Sequence, residues 1–426
     1  MKKLLINGGA RLSGTVRIHG AKNSVLPVLA ACCLCTSPCV LHNCPDIEDV
    51  RTALAILESL GCKTRREGST LCIDASGLSR SRVEKRLAGK MRSSILFLGA
   101  LLARCGKAEL ALPGGCPLGE RPIDLHVKSL AKLGARFRFE KGILQAAWRE
   151  RRDGDIFLSI PSVGATENLL LACALGSGTV TLHGAAREPE ITDLIGFLRA
   201  AGADIRGAGS GDITIRGVKK LHGATYTILP DRIETATYLC MAAGCGGEVE
   251  LQRCDGRLLA PVIERLREAG CKIRCGGSEL VLKSSGKLTA VSPVTTAPYP
   301  GFPTDAQALL MAAVLRAKGE SVFQETVFER RFLHVPELQK LGADIALSGK
   351  TARVRGVAHL HGAMLRAEDL RGAAALITAG LLAEGESEVL GLSHLARGYE
   401  NLEQNLKNLG AAIKSVDIPA PFVYNT

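Results

Sequence analysis

Apolar positions recur at helical spacing along this chain, and six times such a run closes on a small-residue turn followed by a short strand pattern. The copies read SLGCKTRREG around Gly61, KLGARFRFEK around Gly134, AAGADIRGAG around Gly202, EAGCKIRCGG around Gly270, KLGADIALSG around Gly342 and NLGAAIKSVD around Gly410. Successive glycines lie 73, 68, 68, 72 and 68 residues apart. A period held over the whole chain marks a repeat architecture, so residues at one phase of the repeat are expected to collect on one rim.

After each glycine the pattern predicts a strand, a turn, a second strand and a helix start, as in ITIRGVKKLHGATYTI from Ile213 to Ile228 and ARVRGVAHLHGAMLRA from Ala352 to Ala367. The sixth copy stops near Val416 without its second strand, and the N-terminal LLINGGARLSGTVRIHG, Leu4 to Gly20, matches the missing piece. The first residues of the chain are therefore expected to complete the last repeat. Six units grouped in threes predict two similar α/β domains, with each amphipathic helix burying one face against a sheet. One domain spans residues 21–229 and the other joins 1–20 to 230–416, leaving 417–426 as a tail.

Composition narrows the class. Hydrophobic residues make up 46% and charged residues 23% of 426, which suits folded domains rather than disorder. The longest uncharged apolar stretch, Ala373 to Ala383, is too short for a bilayer, and MKKLLINGGARLSG lacks the apolar region of a signal peptide, so a cytoplasmic protein is expected, with no membrane partner. A net charge of +12 raises nucleic acid as a partner, but aromatics are only 4% and the arginines stand singly in glycine- and proline-bearing loops. That arrangement suits small anions, held by bidentate contacts to phosphate or carboxylate, and no nucleic acid. The 15 cysteines include a CxxC at Cys32 and Cys35, inside an apolar helix candidate from Val25 to Cys39 and without a second ligand pair. Cysteine replaces alanine after two of the repeat glycines, at Cys62 and Cys271, which marks it as a small hydrophobe; no metal or cofactor is expected.

Two sets of positions carry candidate chemistry. Helix starts after the second strands fall at Lys22-Asn23, Arg92, Ser162-Val163-Gly164, Asp231-Arg232, Asp305 and Asp369-Leu370-Arg371. Free amides and the positive dipole end make such starts anion sites. Ser162, Asp231, Asp305 and Asp369 also read as plain N-caps, whereas Lys22, Arg92 and Arg232 oppose the dipole and call for an anion. The other set lies in the loops before the helices that end at the repeat glycines. Among these the 113–121 loop has three glycines and two prolines, and Cys116 sits there with Arg121 nearby. Basic, accessible surroundings favour a reactive thiol, though a partly buried loop cysteine without chemistry fits that context equally.

Nine motifs, in order and at the phases of the repeat, resemble the UDP-N-acetylglucosamine 1-carboxyvinyltransferases, a branch of the EPSP synthase (enolpyruvyl transferase) family. They are GAKN (Gly20–Asn23), KMRSS (Lys90–Ser94), PGGCPLGERPIDLH (Pro113–His126), PSVGATEN (Pro161–Asn168), AAREPEI (Ala185–Ile191), PDRIET (Pro230–Thr235), FPTD (Phe302–Asp305), ETVFE (Glu325–Glu329) and RGYE (Arg397–Glu400). The resemblance implies two inside-out α/β barrel-like domains, each of three βαβαββ-type repeats. It implies transfer of the enolpyruvyl group of phosphoenolpyruvate to the 3′-hydroxyl of UDP-N-acetylglucosamine with release of phosphate, the first committed step of peptidoglycan synthesis, by a monomer. By the same resemblance Cys116 is the proton donor and the thiol that fosfomycin alkylates, and Lys22, Asn23, Arg121 and Arg397 hold phosphoenolpyruvate. Arg92, Arg121, Pro122, Ile123, Asp124, Leu125, Ser162, Val163 and Gly164 take the nucleotide sugar, Val327 meets its amide, and Asp305 is the base. Arg331, Asp369 and Arg371 are weaker candidates, an ion pair that fixes domain closure explaining the last two equally. Ile160, Arg330 and His19 depart from residues common in that family. The alternatives are the shikimate 3-phosphate enzyme of the same fold and a binder of UDP-N-acetylglucosamine without turnover.

Overall fold

The computed structural model describes residues 2–114, 118–119, 122–148 and 151–417. These residues form six four-stranded sheets with one topology, in which an edge strand runs parallel to its neighbour and the other two pairings are antiparallel. In one, Gly154–Phe157 pairs in parallel with Thr179–His183, which pairs antiparallel with Asp212–Arg216 and that strand with Asp204–Arg206. In five sheets a hairpin follows the repeat glycine, and in the sixth the strand after Gly410 pairs with Lys2–Asn7 instead. All six of these glycines have positive φ, from 90° at Gly342 to 103° at Gly202. Each is the left-handed residue that ends a helix and turns the chain into the following strand, a conformation glycine adopts without a Cβ penalty.

The last sheet is completed by the N-terminus, as expected. Lys2–Asn7 lies between Glu386–Leu390 and Ala412–Asp417, antiparallel to both. The next strand does not join it. Leu12–Arg17 becomes the parallel edge of a different sheet, beside Gly247–Gln252. The same displacement occurs throughout, because a parallel partner cannot be reached by a tight turn. Four repeats donate their final short strand to the sheet of the next one, while Thr225–Thr227 returns to Cys39–His42 and Leu12–Arg17 to Gly247–Gln252, which closes each set of three.

The chain divides into two compact units, a terminal one of residues 1–18, 117–119 and 232–426 and an inserted one of residues 19–116 and 120–231. Within the inserted unit the entering and leaving segments pair, with Gly20 bridging Pro230 and the Asp231 N–H donating to the His19 carbonyl at 2.8 Å.

Apart from the single turns Lys85–Ala88 and Leu392–Leu395, the α-helices of the described residues are of two kinds in each unit. Six amphipathic helices, such as Glu48–Ser59 and Pro189–Ala200, bury one face and end at the repeat glycines. The other six are buried on nearly every side. Those of the inserted unit are Lys22–Cys32, Leu96–Cys105 and Val163–Cys173, which pack on one another; Arg232–Cys245, Thr304–Ala313 and Leu370–Leu382 do the same in the terminal unit. Their sequences are mostly apolar with no continuous polar face, and the polar residues they carry, such as Asn168 and Thr237, are buried as well. The expectation of a single buried face therefore fails for half of these helices, and in each unit the sheets lie outside while the buried helices form the centre. The helix candidate from Val25 to Cys39 is also shorter than expected. It ends at Cys32, and Cys39 opens a strand. By Cys35 the chain is already bridged to Leu221, with the Thr36 N–H donating to the Leu221 carbonyl at 3.0 Å, so it has left the helix well before Pro38.

Candidate functional site

In the terminal unit two inner helix starts carry carboxylates, and both are met by buried guanidiniums. Asp305 lies in the first turn of Thr304–Ala313, with Pro303 as N-cap, so it is not the cap that its position suggested. One carboxylate oxygen accepts from Arg331 Nη2 at 2.6 Å and the other from Arg371 Nη2 at 3.0 Å. Arg331 also donates to the Thr304 carbonyl at 3.2 Å and lies 3.7 Å from Asp369. Asp369 is a true N-cap, accepting from the Arg371 and Gly372 amides at 2.9 and 3.1 Å. Arg371 in turn reaches the Tyr399 hydroxyl at 3.1 Å and lies over its ring. Burial alone would raise the Asp305 pKa, but Arg371 and Arg331, with Arg232 behind them, outweigh it and hold the carboxyl well below the usual carboxylate range.

Glu325, missed as a site residue, fixes this region. It is buried; Oε1 accepts from Thr296, from the Val327 amide at 2.8 Å and from the Phe328 amide at 3.0 Å, while Oε2 accepts from Thr304 at 3.0 Å. One carboxylate thus couples the turn that bears Val327 to the residue before Asp305. Since the Val327 N–H is engaged, the backbone group that it can offer a ligand is its carbonyl. Arg397 follows the short helix Leu392–Leu395, two residues before the Tyr399 that stacks on Arg371. His334 is buried beside this cluster. Neither ring nitrogen has a partner among the described residues, and burial lowers its pKa to about 4.

In the inserted unit, Lys22 is the first residue of Lys22–Cys32. Its Nζ pairs with Asp49 at 2.8 Å and its backbone N–H donates to the Asp231 carboxylate at 3.1 Å. The lysine at this helix start therefore has a nearly buried counterion, a partner that sequence reasoning did not supply. Asn23, next to it, is exposed. Arg92 opens the 3₁₀ turn Arg92–Ile95 and reaches the Pro122 carbonyl at 3.4 Å. Asp124 and Leu125 start Asp124–Lys132, after Ile123 as N-cap, and Asp124 pairs with Lys128 at 3.0 Å. Ser162 caps Val163–Cys173, accepting from the Ala165 amide at 3.3 Å; Gly164 lies against the His126 ring. The structure therefore brings together Arg92, Pro122 to Leu125 and Ser162 to Gly164. Cys116 and Arg121 lie outside the described residues. The cysteines described are mostly buried, Cys275 alone being exposed, and no cluster of His, Cys, Asp or Glu among the described residues has metal-site geometry. No helix is long and apolar enough to cross a membrane among the described residues.

Sheets outside a bundle of three buried helices in each unit are the architecture of the enolpyruvyl transferases. The crystal structure of the enolpyruvyl transferase NikO from Streptomyces tendae superposes with a TM-score of 0.89 at 30% identity, covering 98% of this chain and 99% of that one. An EPSP synthase from Acinetobacter baumannii shares the fold, with a TM-score of 0.75 at 19% identity over 98% of this chain and 100% of that one. The family model described as EPSP synthase (3-phosphoshikimate 1-carboxyvinyltransferase) matches residues 6–406, and the chain belongs to that family. Its curated relatives include UDP-N-acetylglucosamine 1-carboxyvinyltransferase 2 of Caldanaerobacter subterraneus subsp. tengcongensis, 46% identical over 97% of this chain and 99% of that protein. The UDP-N-acetylglucosamine 1-carboxyvinyltransferase of Gloeobacter violaceus is 47% identical over 96% of this chain and 90% of that protein. The resemblance carried by the nine motifs is borne out.

Proposed function

We propose that this chain transfers the enolpyruvyl group of phosphoenolpyruvate to the 3′-hydroxyl of UDP-N-acetylglucosamine and releases phosphate, committing the sugar to peptidoglycan. The observation that carries the reading is near-full-length identity of 46–47% to relatives that bear this activity in their names. The alternative acceptor, shikimate 3-phosphate, has weaker support, since likeness to the EPSP synthase at 19% identity speaks for fold alone.

In this reading C3 of phosphoenolpyruvate takes a proton from Cys116 as the 3′-oxygen bonds to C2, and Asp305 accepts the hydroxyl proton. Loss of a proton from C3 then expels phosphate from the tetrahedral intermediate and restores the double bond. Lys22, Asn23, Arg121 and Arg397 would balance the phosphate and carboxylate. Arg92, Arg121 to Leu125 and Ser162 to Gly164 would hold the nucleotide, the last through helix amides. The Val327 carbonyl would accept from the sugar amide. An Asp305 held by two arginines is a weak base, so the reading requires substrate to loosen at least one of those contacts before proton transfer. The enzyme would work as a cytoplasmic monomer, and every acid, base and cation in the scheme is a side chain, with no cofactor.

The deciding experiment is phosphate release from phosphoenolpyruvate, with UDP-N-acetylglucosamine and shikimate 3-phosphate in parallel. Release with the nucleotide sugar alone, with a product heavier by one enolpyruvyl group, is the expected result. Release with shikimate 3-phosphate alone overturns the reading in favour of the other acceptor, and silence with both favours a binder without turnover.

A further inference from the structure

Asn168 lies in the middle of Val163–Cys173 and is fully buried. Its Oδ1 accepts the Gly99 N–H at 2.7 Å, and its two amide hydrogens go to the Ile95 carbonyl at 3.0 Å and to His126 Nδ1 at 2.8 Å. One side chain therefore ties three elements together: its own helix, Leu96–Cys105 with the turn before it, and Asp124–Lys132. The approach is close, for a Cβ at Gly99 would fall 2.3 Å from the Asn168 carbonyl oxygen. Each tied element begins with a segment assigned to the nucleotide sugar, respectively Ser162 to Gly164, Arg92, and Pro122 to Leu125.

The arrangement also fixes the chemistry of His126. Because a backbone N–H claims Oδ1, the Asn168 amide cannot flip without setting donor against donor. His126 Nδ1 must then be an acceptor, which keeps the ring neutral with its proton on Nε2. Burial and the nearby Arg92 act in the same direction. The Nε2 side of the ring lies against Gly164, where an added Cβ would fall 3.4 Å from Nε2 and 3.2 Å from Cε1.

We propose that Asn168 and His126 are positioning residues for the nucleotide-sugar half of the reaction, a buried hub that holds the three binding segments in one register. The inference rests on the function proposed above, and its test separates the two. His126→Ala should raise the KM for UDP-N-acetylglucosamine about tenfold or more while kcat and the KM for phosphoenolpyruvate stay within about threefold, since a buried hydrogen bond of the nucleotide segments is lost. His126→Asn, which puts an amide oxygen near the place of Nδ1, should restore most of the affinity. The wild-type ring should show, by ¹⁵N NMR at neutral pH, a single proton on Nε2, whereas Asn168→Asp should turn Nδ1 into a donor and make the ring an imidazolium. Equal losses in kcat and both KM values, an asparagine variant no better than alanine, or a wild-type proton on Nδ1 would overturn the hub. If the alanine variant fails to fold, the asparagine variant and the wild-type tautomer decide. If wild type does not turn over the nucleotide sugar, the functional reading falls while the tautomer still decides whether the lock exists.

Discussion

The inner helix starts of the two units occupy the same phase of the repeat but differ in their electrostatics. In the terminal unit, Asp305 and Asp369 sit at two starts and are matched by Arg331 and Arg371, which are only 2% and 4% exposed. In the inserted unit, Lys22 and Arg92 bring positive charge to two starts and Ser162 caps the third with a neutral hydroxyl. One scaffold thus presents a carboxylate locked by guanidiniums in one unit and cations with helix amides in the other. The repeat determines where a side chain appears, and the residue there determines whether that helix start carries a carboxylate or a cation.

The sharpest way to break this contrast is to remove the locked carboxylate. Asp305→Asn should lower kcat about 100- to 10,000-fold if the group is the base, with the fold retained because the amide oxygen still accepts from arginine. Steady-state kinetics beside thermal unfolding check both halves. Next in size is Arg331→Met, which takes from Asp305 one of its two guanidiniums and from Asp369 the cation beside its cap, and should cost about 3–5 kcal/mol in urea unfolding. A cost near zero would mean that the guanidinium serves ligand binding alone.

The six-unit plan was legible from one residue type, because the glycine after each helix must adopt positive φ and so repeats at a fixed phase. The inner helix starts were legible for the same reason. The partners were not. Lys22 finds Asp49, Asp305 finds Arg371 across 66 residues, and Asn168 finds Gly99 across 69, pairings set by packing that no local pattern encodes. Glu325 was visible only as a letter in a motif, since its role depends on Thr296, Thr304 and two amides converging on it. The swap of the edge strands escaped for a similar reason: the strands were recognised, but their sheet is a matter of non-local pairing.

Smaller tests sharpen the comparison. His126 and His334, one in each unit, are buried neutral with folded pKa values lowered from 6.5 to about 4. The unfolded chain binds their protons first, so stability should fall as pH drops from 6.5 towards 4, by up to about 1.4 kcal/mol per pH unit per histidine. Replacing His126 by Asn should remove one share of that slope, measured by urea unfolding across the window; an unchanged slope would rule out a neutral His126. Asp305 behaves in the opposite sense. Its contribution is present above the ordinary carboxylate pKa and is lost only as pH falls through its depressed folded value, so it adds nothing to this window. Smallest of all, Ser162→Ala removes one helix cap in the inserted unit and should cost about 1 kcal/mol in the same measurement.

The strand Lys2–Asn7 leaves the ribosome long before the strands that it pairs with. Its hydrogen-bonding neighbours, Glu386–Leu390 and Ala412–Asp417, are synthesised some 400 residues later, a delay of about 20–80 s at ordinary translation rates. The segment 19–231 holds all the strands of its three sheets and can close during that interval. The two units thus mature on different clocks, and Lys2–Asn7 has neither of its sheet neighbours until Glu386–Leu390 and Ala412–Asp417 have been made.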